Sequence, residues 1–313
     1  MWQPQNRAAV HFPAAGEPLH FSETFPLAPL AVIRRMHRLW RIWETWFGEP
    51  LRKVEAESLA YRLSNAGRRT DWKTPVVLLT AAFCLTLQQY TSSPFQLIDS
   101  VRFVASAFGS DAVHAVTATL RGWAADPLAS RVWWCTVAVV TYAILPFLVL
   151  KFAFRERVAD YGLKVRGALA AWPLYAGCVA VMVPLVWYCS TEERFQQTYP
   201  FLRVRSADEV RADLWKWELC YAAQFVGLEF FFRGFLIHGT KHRLGVSAVF
   251  VSVVPYALIH FGKPMPEAFA SIVAGVALGF ISLTTRSIWL GAGLHIAVAW
   301  SMDLACLARR GLL

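Results

Sequence analysis

The chain has 313 residues, of which 56% are hydrophobic and only 17% charged, with 14 tryptophans, 22 phenylalanines and a mean hydropathy of +0.40. That profile excludes an ordinary soluble pair of domains and fits a polytopic membrane protein whose helices face lipid. The net charge of +10 comes with no zinc finger, RNA-binding aromatic pattern or basic-helix array. Nucleic acid is therefore not an expected partner, and basic segments beside a bilayer account for the charge.

Residues 1–29 form a Pro-bearing polar leader with no apolar h-region, so ordering there is expected to be poor and insertion to start at an internal helix. In residues 30–47 the apolar and aromatic positions Val32, Ile33, Met36, Leu39, Trp40, Trp43, Trp46 and Phe47 recur at three- and four-residue steps. Arg34, Arg35, Arg38 and Arg41 fill the other face, which predicts a basic amphipathic helix lying in the plane of an anionic membrane. A helix packed on a soluble partner is the other reading. Residues 51–73 read as a charged connector.

Spans are predicted at 75–90, 132–152, 169–188, 215–239, 246–261, 268–285 and 288–307. Residues 98–120, interrupted by Gly109, Ser110 and Asp111, read as re-entrant or surface-lying. The expectation is an all-α transmembrane bundle of about seven spans. Its parts are a cytoplasmic N-terminal segment (1–73), N-terminal helices and connectors (74–213), a late core (214–307) and a short tail (308–313). Lys and Arg cluster in the N-terminal region, in residues 151–166 and in the turns holding Lys241, Arg243 and Arg286. With seven spans these fall on one side, so the N-terminus is expected in the cytoplasm and the chain in the cell (inner) membrane. The six cysteines, Cys84, Cys135, Cys178, Cys189, Cys220 and Cys306, sit in or beside apolar runs without metal-site spacing and read as core residues.

Residues 215–239 are apolar enough to cross a bilayer, yet include Glu218, Glu229 and Arg233. Charges at that depth are costly unless paired. Glu229 and Arg233, four apart, share a helix face and can pair, with Glu218 on the same stripe. This fits a structural ion pair or one wall of a polar intramembrane site. His260 and His295 fall deep in later predicted spans. Glu229 and His260 each stand about fifteen residues from the intervening turn, so both lie about 22 Å from it. Tyr256 shares the face of His260, and Pro255 frees a backbone carbonyl there. In residues 268–285, Ser271, Gly275 and Gly279 form a small-residue row suited to close helix packing.

The segments EFFFRGFL (229–236), YALIH (256–260) and LHIAVAW (294–300), in this order, resemble the CAAX-protease and bacteriocin-processing family, the Rce1-like intramembrane endopeptidases also called the Abi family. Its pattern is Glu-Glu-x-x-x-Arg, Phe-x-x-x-His and His-x-x-x-Asn/Asp on three late helices. The resemblance covers residues 214–303 and implies an Rce1-like fold cleaving membrane-associated peptides or protein C-termini. It implies Glu229, His260 and His295 as catalytic residues, with Arg233 and Tyr256 supporting, and His260 and His295 as ligands if a metal such as Zn²⁺ is bound. Leu228 stands where the family has its first Glu, and Ala299 where it has Asn or Asp; Asp303, one turn beyond, is the candidate substitute. A carboxylate and two imidazoles suffice for hydrolysis by water. Loss of the first Glu leaves a second reading, a family-derived protein that binds or shields membrane peptides without cleaving them. A haem carried on His260 and His295 is a third, and leaves Glu229 and Arg233 without a role.

Overall fold

A computed structural model describes residues 40–66 and 71–313. The leader and most of residues 30–47 lie outside the described residues. The chain divides into two units, Met1–Glu44 and Thr45–Leu313. In the first, Trp40 and Trp43 stack with ring centroids 5.5 Å apart.

The second unit is built from helices, and no β-strand occurs among the described residues. In chain order they are Glu49–Ser64 (α1), Lys73–Thr91 (α2), Pro94–Ala105 (α3), Ser110–Ala125 (α4), Pro127–Ala153 (α5), Val165–Ala170 (α6), Trp172–Cys189 (α7), Glu193–Thr198 (α8), Ala207–Leu244 (α9), Ser247–Leu258 (α10), Met265–Thr285 (α11) and Trp289–Arg309 (α12). By length and composition α5, α7, α9, α11 and α12 can each cross a bilayer. Of the other two expected spans, 75–90 lies in the 19-residue α2, and 246–261 shortens to α10, which has 12 residues. Residues 98–120 form the hairpin of α3 and α4, turned at Gly109 with φ +98°, a region open to glycine. Residues 51–73 do not form a plain connector, because α1 occupies most of them: its buried Val54 packs with Ile237, Val249 and Leu283.

Helix α9 is the axis of the bundle. Its most apolar stretch is 78% buried within the protein, against 6% for α7, which packs one face on α12 and leaves the rest uncovered by other helices. Ser206 caps it by accepting from the Glu209 N–H at 3.2 Å, and Asp208 and Glu209 complement the positive end of the helix dipole. Lys241, His242 and Arg243 occupy its last turn, and Gly245 ends it with φ +59°. Between these ends, residues Phe230–His238 widen to a π-helical segment, a local form often found at functional sites. Helix α11 lies close against α10 because two members of the predicted small-residue row are glycine: side chains at Gly275 and Gly279 would press on Tyr256 and Val249.

The basic segments gather at one end. The Gly162 carbonyl accepts from the Ile288 N–H at 2.8 Å, Arg286 reaches Glu57, and the Glu55 carboxylate accepts from the Val246 N–H at 2.7 Å. Lys73 pairs there with Glu156 at 2.8 Å, and the Tyr161 hydroxyl donates to the same carboxylate. Partial burial pushes the Glu156 carboxyl up, but the hydrogen bonds from Lys73 and Tyr161 outweigh it and hold it below the usual value. The contact therefore stabilises above the unfolded carboxyl's pKa and loses its effect as pH falls through the lower folded value. Lys73→Ala should lower the melting temperature at pH 7 and cost progressively less as the pH drops below 4.5. At the other end, Arg309 donates to Ser190 and to the Trp187 carbonyl, and Arg310 to the Tyr199 carbonyl.

Candidate active site

Four of the predicted residues meet where α9, α10 and α12 cross. Glu229 and Arg233 are each 1% exposed, and Nη1 of Arg233 lies 3.0 Å from Oε1 of Glu229. Nδ1 of His295 lies 3.0 Å from the same oxygen. Neither approach has the angle of an aligned hydrogen bond, so the pairing of Glu229 with Arg233 is a charge contact at close range. The guanidinium also lies 4.0 Å from the centroid of the Tyr256 ring, a second neighbour of suitable polarity. Gly291 on α12 makes the room: a Cβ there would overlap the Glu229 carboxylate.

The tautomer of His295 follows from its surroundings. Nδ1 faces two acceptors, Glu229 Oε1 and the Gly291 carbonyl at 3.2 Å, so Nδ1 carries a proton. Nε2 is then free to accept from the Tyr256 hydroxyl at 2.8 Å. When both nitrogens are protonated the direction reverses, and the Tyr256 O–H is released for another acceptor. Phe225 stacks on the opposite side of the imidazole at 5.3 Å and fixes its plane.

His260 stands just past the end of α10. Its Nδ1–H donates to the Tyr256 carbonyl at 2.8 Å, and its ring sits edge-on to the Tyr256 ring at 4.7 Å. Nε2 makes no hydrogen bond to any described residue, and the side chain lines a cavity of about 630 Å³. That cavity runs from Leu228 and Tyr142 inside the bundle to Lys263 and Glu267 at the end opposite the basic cluster. Tyr256 and His295 line it; Glu229 and Arg233 lie behind them. Glu229 therefore reaches the cavity through His295.

Leu228 and Ala299 both stand on the cavity wall and keep apolar the two positions noted in the motif. Asp303 does not join the cluster. It is fully buried on α12, accepts from the Trp217 indole N–H at 2.8 Å and is not part of the cavity wall. Glu218, although on the predicted stripe, is also off the wall; both its carboxylate oxygens are buried without a hydrogen-bond partner. Sequence reasoning missed Gln224 and Phe225 on α9, and the rim where Lys263 meets Glu267 at 2.7 Å and Tyr199 donates to the same carboxylate. Gln224 was within reach, because it precedes Leu228 by one helical turn.

A catalytic zinc centre takes three protein donors and a water. No group of three His, Cys, Asp or Glu side chains among the described residues could hold a metal ion. His295 has both ring nitrogens engaged, leaving His260 Nε2 as the open imidazole donor of the expected pair. The residues present do not fit a zinc site on His260 and His295.

A lipid-facing helical bundle with charged side chains sealed in its middle is an integral membrane protein of the polytopic class. Residues 211–301 match the family model described as Type II CAAX prenyl endopeptidase Rce1-like. The match spans Glu229, Arg233, Tyr256, His260 and His295, and ends before Asp303. No curated protein and no solved structure matches the chain.

Proposed function

We propose that the protein is an intramembrane endopeptidase in which His260 is the proton acceptor. The observation that carries this reading is the line Glu229–His295–Tyr256, which ends on the cavity wall at the Tyr256 ring, 4.7 Å from the ring of His260. A water in the cavity gives its proton to that nitrogen as its oxygen bonds to the scissile carbonyl carbon. The Tyr256 hydroxyl, backed by protonated His295, donates to the carbonyl oxygen as it gains charge. His260 then passes the proton to the leaving amine and the C–N bond breaks, giving an acid and an amine. Glu229 acts from behind by holding the His295 imidazole through Nδ1, and Arg233 keeps that carboxylate from being an unpaired charge in lipid.

The substrate is a membrane-associated peptide or protein C-terminus. With the basic end of the bundle in the cytoplasm, as the distribution of Lys and Arg favours, the cavity opens on the opposite face of the cell (inner) membrane. The test uses purified protein in nanodiscs and two quenched fluorescent reporters. One is an unmodified apolar decapeptide; the other ends in S-farnesylated cysteine and three apolar residues. Cleavage of either that is lost in His260→Ala supports the reading, and the reporter that is cut identifies the substrate class. Leu228 and Ala299 favour a second reading, in which the cavity binds peptide without cleaving it. Saturable binding of a reporter with no turnover would decide for that one.

A further inference from the structure

Polar atoms without hydrogen-bond partners inside a fold mark places where something else can bind. Most of those here are sealed in the packed protein. Ser58, Thr117, His242, Glu218 and Asp303 lie off the cavity wall, Glu229 faces Arg233, and the Gln224 oxygen is closed off from water. The Tyr142 hydroxyl differs. Tyr142, on α5, is 3% exposed and lines the cavity. Its hydroxyl makes no hydrogen bond to any described residue, yet it is not among the sealed atoms. The little surface that Tyr142 keeps therefore includes the hydroxyl, and the residue's place on the wall puts that surface in the cavity.

The local backbone is a second, independent sign. Residues Val140–Ile144 of α5 widen to a π-helical turn, the same local form that α9 takes just after Glu229. Thr141, the neighbour on that turn, has acceptors inside the protein: the Val137 carbonyl at 2.8 Å and Gln88 Oε1 at 2.9 Å. Tyr142 has none. Its ring is held 5.0 Å from Phe231 and 6.1 Å from Phe232, and Phe232 stands 5.2 Å from Tyr256. Packing thus fixes the direction of the hydroxyl, and a single ring separates Tyr142 from Tyr256. A buried tyrosine O–H normally finds a partner. The acceptor that any peptide brings, whatever its side chains, is a main-chain carbonyl.

We propose that Tyr142 is a substrate-positioning residue whose hydroxyl donates a hydrogen bond to one main-chain carbonyl of the bound peptide, other than the carbonyl that Tyr256 serves. The proposal rests on the reading of the cavity as a peptide site, and holds whether or not the peptide is cut. Recognition through a carbonyl tolerates any side chain at that position, proline included, because proline keeps its C=O.

The test is a cycle of protein and peptide changes read by binding. An N-dansyl octapeptide of alternating leucine and alanine is titrated into nanodisc-held wild type and Tyr142→Phe, which removes the hydroxyl and keeps the ring. The series is repeated with peptides in which one carbonyl at a time is a thiocarbonyl, a weaker acceptor. Tyr142→Phe should weaken binding of the parent peptide about fivefold, and one thiocarbonyl position should weaken binding to wild type by a similar factor. At that position Tyr142→Phe should show no further loss. Without peptide its melting temperature should match wild type, because the hydroxyl has no partner in the protein to lose. Tyr142→para-aminophenylalanine returns a donor and should return the sensitivity. An unchanged Kd for the parent peptide in Tyr142→Phe, or an equal thiocarbonyl penalty in both proteins, would overturn the proposal. A lower melting temperature of Tyr142→Phe, or its failure to fold, would give the hydroxyl a structural role and overturn it too. No saturable binding to wild type would overturn it together with the peptide-site reading, and that outcome is told apart by appearing before any substitution is made.

Discussion

Arg233→Ala is expected to destabilise the protein by about 3–5 kcal/mol, the usual cost of removing one partner from a buried ion pair. Both residues are 1% exposed and 3.0 Å apart, so removing the guanidinium strands a carboxylate inside the packed bundle. Glu229 keeps one further neighbour, Nδ1 of His295, whose charge depends on its own protonation. Adding Glu229→Gln to Arg233→Ala removes the stranded carboxylate and should restore part of the loss. The measurement is thermal melting in detergent, comparing both single variants with the double. A double variant no more stable than Arg233→Ala would mean that the two side chains are not energetic partners.

His260→Ala should reduce reporter cleavage by about 10²–10⁴-fold, the range for loss of a positioned proton acceptor, with the melting temperature close to that of wild type. The imidazole makes one hydrogen bond, to the Tyr256 carbonyl, and one edge-on ring contact, with Tyr256, and it borders the cavity, so its removal opens onto existing space. Leu228→Glu provides the contrasting case. It places a carboxylate on the wall where the family's first Glu stands, one residue from buried Glu229. If His260 is the acceptor, Leu228→Glu should not rescue His260→Ala to the wild-type rate. Full rescue would transfer the role of base to the α9 wall and remove His260 from the mechanism.

Much of the centre was legible because charge in an apolar run has few explanations. Glu229 and Arg233 had to pair, and their four-residue spacing put them on one face. His295 and Tyr256 followed from motif order and came together at 2.8 Å. Which group faces the cavity was not legible. Helical spacing gives a face relative to the helix axis, whereas exposure depends on what other helices cover. Glu229 is covered by α12 through Gly291 and His295, and so lies behind the residues it was expected to act beside. Asp303 was read from its distance along α12, but the bond from Trp217 on α9 holds it elsewhere. The late core was clearer than residues 51–120, where α1 and the α3–α4 hairpin are too polar to register as spans yet too apolar to remain loops.

The contrast between α7, 6% buried, and α9, 78% buried, bears on how such a protein changes over generations. Lipid is a solvent that asks only for apolarity, so Val181, Leu185 and their exposed neighbours on α7 can drift among valine, leucine, isoleucine and phenylalanine without altering any packed contact. Along α9 the same exchanges would collide with side chains from neighbouring helices or leave holes between them. Ancestry is therefore erased fastest where the chain meets the bilayer and slowest around its axis.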